Sequence, residues 1–294
     1  MSKVPDEALS FASKQRDFIL DELIEFVRIP SVSTDPKAQP DMQRAAEWVA
    51  SQMHRIGLEH VKIYPTAGHP VVYGDWLSAG PGKPTVLFYG HYDVQPPEPL
   101  ELWEIPAFEP TMRGENLYGR GASDMKGQVI FSLAAIEALL QTGSLQVNVK
   151  FLIEGEEEIG SPSLAGFISE QVDLLKCDYA INPDSGMFRA DLPVVTYGLR
   201  GLAYFELRLS GPDHDLHSGG FGGAVHNPAQ VLCELIAGMH DAQGRITLPG
   251  FYDRVKPLTS EEHAENSRLP IDDAFYLGAS GAPGPAGPGW GAAG

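Results

Sequence analysis

Histidine and carboxylates are the side chains most able to hold a divalent cation at neutral pH, and here they gather at the ends of apolar runs. Val86 to Tyr89 are continuously apolar, as in a strand covered on both faces, and the run stops at Gly90. His91 and Asp93 follow two apart, so an extended backbone turns both toward the same side. A glycine-rich segment, Gly119 to Gly127, carries Asp124, and an acidic one, Glu154 to Ser161, carries Glu157 and Glu158. Asp184 ends a further short apolar run. Carboxylates concentrated in this way repel one another unless a cation lies among them, and oxygen plus imidazole ligands suit zinc or a similar divalent metal.

The elements that must position these groups can be read from periodicity. Apolar residues at helical spacing predict a first helix from about Leu9 to Arg28, stopped by Pro30. A second helix has Asp41 as its cap and Gly57 as its stop. Strands are predicted at Val61 to Tyr64, Val71 to Trp76, Thr85 to Tyr89, Val147 to Ile153 and Asp178 to Asn182. Asp124 stands where the helix carrying Val129, Ile130, Leu133, Ile136 and Leu140 begins, so its ordinary role would be an N-cap. Four strand ends or following loops thus present His91, Asp124, Glu157 with Glu158, and Asp184. On a parallel sheet that places them along one edge. The expected fold class is α/β, a mostly parallel twisted sheet with helices on both faces.

After about Val195 the pattern changes to strand alternation over Tyr204 to Ser210, followed by a glycine-rich stretch with His214 and His217. A helix then opens at Asn227-Pro228 and ends near Gly244, which suggests a separate α+β unit. From Leu277 on, Gly, Ala and Pro dominate, and such a tail is expected not to order itself. The expected division is 1–195, 196–276 and 277–294.

At 294 residues the chain is long enough for about two domains. A net charge of −18 argues against nucleic acid or an anionic membrane as partner, since phosphates are bound by Lys and Arg clusters. The two cysteines, Cys177 and Cys233, lie too far apart in sequence for a metal motif and fit a reducing compartment. With no apolar signal core or spanning run in view, the expected location is cytoplasmic.

Five ordered segments, GHYDVQP at 90–96, LYGRGASDMKG at 117–127, EGEEEIGS at 154–161, NPDSG at 182–186 and DLHSGGFGGAVHNP at 215–228, resemble the aminoacylase, carnosine dipeptidase and desuccinylase family of two-metal peptidases, most closely its dipeptidase branch. The resemblance implies that His91 and Asp184 bind one metal, Glu158 the other, and Asp124 bridges the pair, most simply as zinc with manganese or cobalt as alternatives. It implies that Asp93 orients His91, that Glu157 is the general base, and that the Asp124–Met125 bond is cis. A pair of neighbours on an extended segment points to opposite sides, which would let Glu158 face metal while Glu157 faces water. Glu154 and Glu156 read as ordinary solvated charges.

The family resemblance further implies that the second unit is a lid that mediates homodimerisation, with His217 reaching the partner's site to stabilise the oxyanion. The substrate would be a dipeptide or small amide. An N-acyl or N-succinyl amino acid deacylase is the alternative within enzymes, and an inactive dimerisation module the alternative outside them. The family's catalytic domain resumes after the lid with a last histidine ligand, and no segment here resembles that return. The expectation is therefore a fragment, a frameshifted product or an incomplete gene model with little or no activity of its own.

Overall fold

The computed structural model of the protein describes residues 5–189, 191–199 and 201–283. Two compact units divide between Thr196 and Tyr197. In the first, α1 (Asp6–Lys14) and α2 (Arg16–Val27) replace the single helix that periodicity predicts. Gln15 separates them, its backbone (φ −92°, ψ 6°) having left helical geometry while the apolar spacing carries on. In α3 (Gln39–Arg55) the N-cap position belongs to Ala38, not Asp41, which sits inside the first turn near the positive end of the helix. Gly57, at φ 92°, closes this helix as expected.

The sheet contains β1 (Glu59–Tyr64), β2 (Val71–Trp76) and β3 (Thr85–His91); it is completed by β6 (Asn148–Glu154) and β7 (Tyr179–Ile181), after the small hairpin β4 (Thr111–Arg113) and β5 (Asn116–Tyr118) and helix α4 (Lys126–Gln141). Short helices α5 (Leu164–Glu170) and α6 (Val172–Leu175) link the last two sheet strands. Strand order is β1-β2-β6-β3-β7. β3 pairs in parallel with β6 and β7, whereas β2 runs antiparallel to β1 and β6, so every strand but β2 points the same way. The register aligns His91 with Glu154 at the shared carboxyl edge.

Both faces of the sheet are covered, as alternation along its strands requires. Val72, Val149, Phe151 and Ile153 pack with Phe26, Met42, Val49, Met53 and Val129 from α2, α3 and α4. Val71, Tyr73, Leu87 and Leu152 meet Phe167 and Leu175 of α5 and α6 on the other side. β6 is buried at every position, Lys150 included, whose Nζ donates to the carbonyls of Leu174 and Lys176 at the end of α6. Each large apolar side chain so covered contributes on the order of 1.5–3 kcal/mol, enough in sum to fix the edge on which the acidic groups sit.

The second unit contains α7 (Ser218–Phe221), α8 (Pro228–Gly238), α9 (Ser260–Asn266) and α10 (Asp273–Ser280). α8 begins as predicted, with the Asn227 side chain accepting from the Ala229 amide, but ends at Gly238 rather than near Gly244. The strand expected over Tyr204 to Ser210 is not formed: alternation supplies a face, and a ladder also requires a neighbour. Leu277 to Ser280, expected to be irregular from composition, are helical. Asp272 caps α10 by accepting from the Phe275 amide, and Gly281 closes it at φ 64°. The remaining tail, 284–294, lies outside the described residues. Among the described residues from Tyr197 on, none is buried. No helix among the described residues is long and apolar enough to cross a membrane.

Candidate metal centre

His91 is the last residue of β3, and its side chain is fully buried. Gly90 allows this: a Cβ there would lie 2.8 Å from Cε of Met125, whose sulfur accepts the His91 amide at 3.2 Å. Nδ1 of the ring lies 3.0 Å from the Asp93 carbonyl and 3.3 Å from its Oδ1. Nδ1 is therefore the protonated nitrogen of the neutral ring, and Nε2 keeps its lone pair. The Asp93 carboxylate also accepts the amides of Glu157 (3.3 Å, Oδ1) and Glu158 (3.1 Å, Oδ2). One buried carboxylate thus orients both the imidazole and the acidic turn.

Nε2 of His91 is buried and has no hydrogen-bond partner. Around it stand Oδ1 of Asp124 at 3.3 Å, Oδ2 of Asp184 at 3.6 Å and Oε2 of Glu157 at 3.9 Å. Two sets of side chains, His91 with Asp124 and Asp184, and His91 with Glu157 and Glu158, bring their ligand atoms within 4.8 Å of one another. An orphaned imidazole nitrogen ringed by carboxylate oxygens is a donor set that zinc, manganese or a similar divalent ion accepts.

The electrostatics agree. Burial pushes the His91 pKa down, but the hydrogen bond and charge of Asp93, with the charges of Asp184 and Glu157, outweigh it and hold the ring at about 9. Burial raises the pKa of Glu157, Glu158 and Asp184, and neighbouring carboxylates push in the same direction. Without a cation this cluster retains extra protons, and a bound cation would supply the charge they provide.

Three expectations are corrected. Asp124 is not a helix cap: Met125 occupies the N-cap position of α4 with no side-chain cap bond, and the Asp124 carboxylate, 63% exposed, faces His91. The Asp124–Met125 peptide is cis, as the resemblance implied. Glu157 and Glu158 do not diverge from an extended strand. They lie in a 3₁₀ turn over Glu157–Ile159, so both carboxylates approach the same imidazole. Glu154 and Glu156 are not solvated: they are 1% and 3% exposed. A charge run at a strand end predicts surface only when nothing folds over it; here the loop before β2 and the start of α5 cover Glu156, and the hydroxyls of Tyr89 and Ser161 donate to Glu154.

Gln95 was not singled out from sequence, yet its Nε2 donates to Oε2 of Glu158 at 2.7 Å. The available signal was its position two residues beyond Asp93, on the same side of an extended segment. His217 is placed in the second unit, exposed at the N-cap of α7, where Nδ1 accepts the Gly219 amide at 3.0 Å.

Residues 87–273 match the family described as peptidase family M20/M25/M40. The chain belongs to this family. It is 35% identical over 286 residues to the Cys-Gly metallodipeptidase dug1 of Schizosaccharomyces pombe, covering 93% of this chain and 58% of that protein. The Beta-Ala-His dipeptidase of Homo sapiens is 34% identical over 292 residues, covering 94% of this chain and 57% of that protein. Among solved structures, an M20 family metallo-carboxypeptidase, Sso-CP2 from Sulfolobus solfataricus, aligns with a TM-score of 0.72 at 34% identity, covering 90% of this chain and 59% of that one. The resemblance to the dipeptidase branch of the M20 peptidases is borne out, and so is the α/β fold. The chain spans less than two thirds of the length of these relatives.

Proposed function

We propose that this M20 chain is a metal-dependent hydrolase that cleaves the amide bond of dipeptides or small peptides. The observation that carries the reading is the buried, unpartnered Nε2 of His91 facing Asp124, Asp184 and Glu157. His91 and Asp184 would hold one divalent cation, Glu158 another, with Asp124 shared between them; zinc is the first choice, manganese and cobalt the alternatives. Such cations lower the pKa of a water and polarise an amide carbonyl. Three protein ligands against two make the His91 site the tighter one.

The chain's own residues then have distinct tasks. Asp93 fixes the tautomer of His91 and, through two amides, the position of the turn bearing Glu157 and Glu158. Glu157, whose pKa is raised by burial, takes the proton of the attacking water at its carboxylate and delivers it to the departing amine nitrogen. Gln95 occupies Oε2 of Glu158, leaving Oε1 free to ligate. In this reading the second unit pairs two copies, and His217 stabilises the oxyanion in the partner's site. Both cysteines are free, in keeping with a cytoplasmic setting.

The test is a panel of dipeptides and N-acyl or N-succinyl amino acids, run with added zinc or manganese on the chain and on Glu157→Gln. Weak metal-dependent release of amino acids from dipeptides, because the second cation has only two protein ligands here, and its loss in Glu157→Gln, is the expected result. Turnover of acyl amino acids alone would replace the peptidase with a deacylase. A chain that retains no divalent ion after dialysis yet dimerises would replace the enzyme with an association module.

A further inference from the structure

Glu156 has no part in the chemistry described above, yet it is a buried carboxylate adjoining two site residues. Its Oε1 accepts the His69 amide and its Oε2 the Ser163 amide, each at 3.0 Å. Its carbonyl accepts the amides of Ile159 at 3.1 Å and Ser161 at 2.8 Å, which closes the turn carrying Glu157 and Glu158. The same residue therefore shapes the turn with its backbone and fastens it on two sides with its side chain. One anchor is the loop before β2, the other the approach to α5.

The loop on the first side is itself braced. Thr66 Oγ1 donates to the His69 carbonyl at 2.7 Å and accepts the Gly68 amide at 3.1 Å, and His69 Nε2 lies 3.2 Å from the Ser33 carbonyl. Gly68 lets the loop approach the carboxylate: a Cβ at that position would stand 1.7 Å from Glu156 Oε1. A buried carboxylate that accepts two backbone amides is costly to disturb, since removing it leaves both donors unsatisfied.

We infer that Glu156 is a positioning residue, an anionic clamp that sets the Glu157–Glu158 turn at the height where Glu158 can ligate its cation, and that Gly68 is the second half of the clamp. The inference rests on the metal reading proposed above. It predicts a selective defect. The His91, Asp124 and Asp184 ligands are carried by other segments and keep their places, so the loss falls on the ion that Glu158 holds.

The experiment is a Mn2+ titration of the full chain, followed by the electron paramagnetic resonance of the free ion, with metal-free melting temperatures alongside. The phase lost in Glu158→Gln identifies the ion concerned. Glu156→Gln, which keeps the volume and one acceptor, should weaken that phase about 10–100-fold, the range for a lost orienting partner of a metal ligand, and leave the tighter phase within about twofold. Gly68→Ala, which removes no ligand and no charge, should reproduce the defect. Equal affinity of both variants and the wild type in the Glu158 phase would overturn the clamp alone. So would a uniform fall of both phases in step with melting temperature, because that is a general loss of fold. If the wild type takes up no Mn2+, the metal reading itself fails and the clamp with it.

Discussion

The carboxyl edge of the first unit's sheet and the stretch from Asp215 to Pro228 in the second are comparably rich in motif residues, but they are built differently. At the sheet edge His91 and Asp93 are fully buried, and the Asp93 carboxylate is engaged with groups 64 and 65 residues away in sequence. In the second unit His217 is exposed and its ring accepts from an amide two residues on. Burial fixes a tautomer, moves pKa values and excludes competing water. An exposed loop residue is not shielded from competing water by its own unit.

The largest effect that would sharpen this contrast is on metal uptake. His91→Ala should weaken divalent binding by more than about 100-fold, beyond what losing an orienting partner costs, as measured by equilibrium dialysis with Zn2+. Retention of tight binding in that variant would break the distinction between the two regions.

Stability should divide the same way. Phe151→Ala removes a fully buried ring stacked on Phe88 at 4.9 Å and should cost about 3–5 kcal/mol in urea unfolding. Leu235→Ala on α8, at a side chain 52% exposed, should cost less than about 0.5 kcal/mol. Comparable losses would show that the second unit has a core of its own.

A smaller effect comes from protons. The His91 value of about 9 in the metal-free fold lies above its ordinary 6.5. The folded state thus holds the proton more tightly, a stabilisation fully present below pH 6.5 and lost as pH rises through about 9. A cation at Nε2 must displace this proton, so apparent affinity should climb across the same window. Titration calorimetry at pH 7.5 in buffers of different ionisation enthalpy should record release of about one proton per ion, absent in His91→Ala. An affinity independent of pH would contradict the assignment of Nε2.

The smallest expected change is in His217→Ala. Uptake of Mn2+ should stay within about twofold of wild type, the range of an exposed substitution away from the ligands. Any larger change, measured by the same titration, would tie the two regions together.

What was legible in the sequence follows from local rules. The apolar run before Gly90, the strand at Val147 to Ile153, the Gly57 stop and the opening of α8 all depend on residues within a few positions of one another. The residue types at the strand ends, and the order in which the chain presents them, likewise follow from sequence alone. The break between α1 and α2 at Gln15 did not show, because helical spacing of apolar residues continues through it. Neither did the unpaired course of Tyr204 to Ser210, since a strand is defined by its neighbour.

Which members of an acidic run turn inward was a tertiary decision. Glu156 is adjacent in sequence to Glu157, but its burial depends on an amide 87 residues earlier and a loop that only a glycine permits to come so close. Asp124 was free to cap a helix until packing at Gly90, Met125 and His91 aimed its carboxylate elsewhere. Sequence determined which groups this protein has that could hold a cation. Only the folded sheet decided which of them share one small volume, because distance between side chains belongs to packing and not to order along the chain.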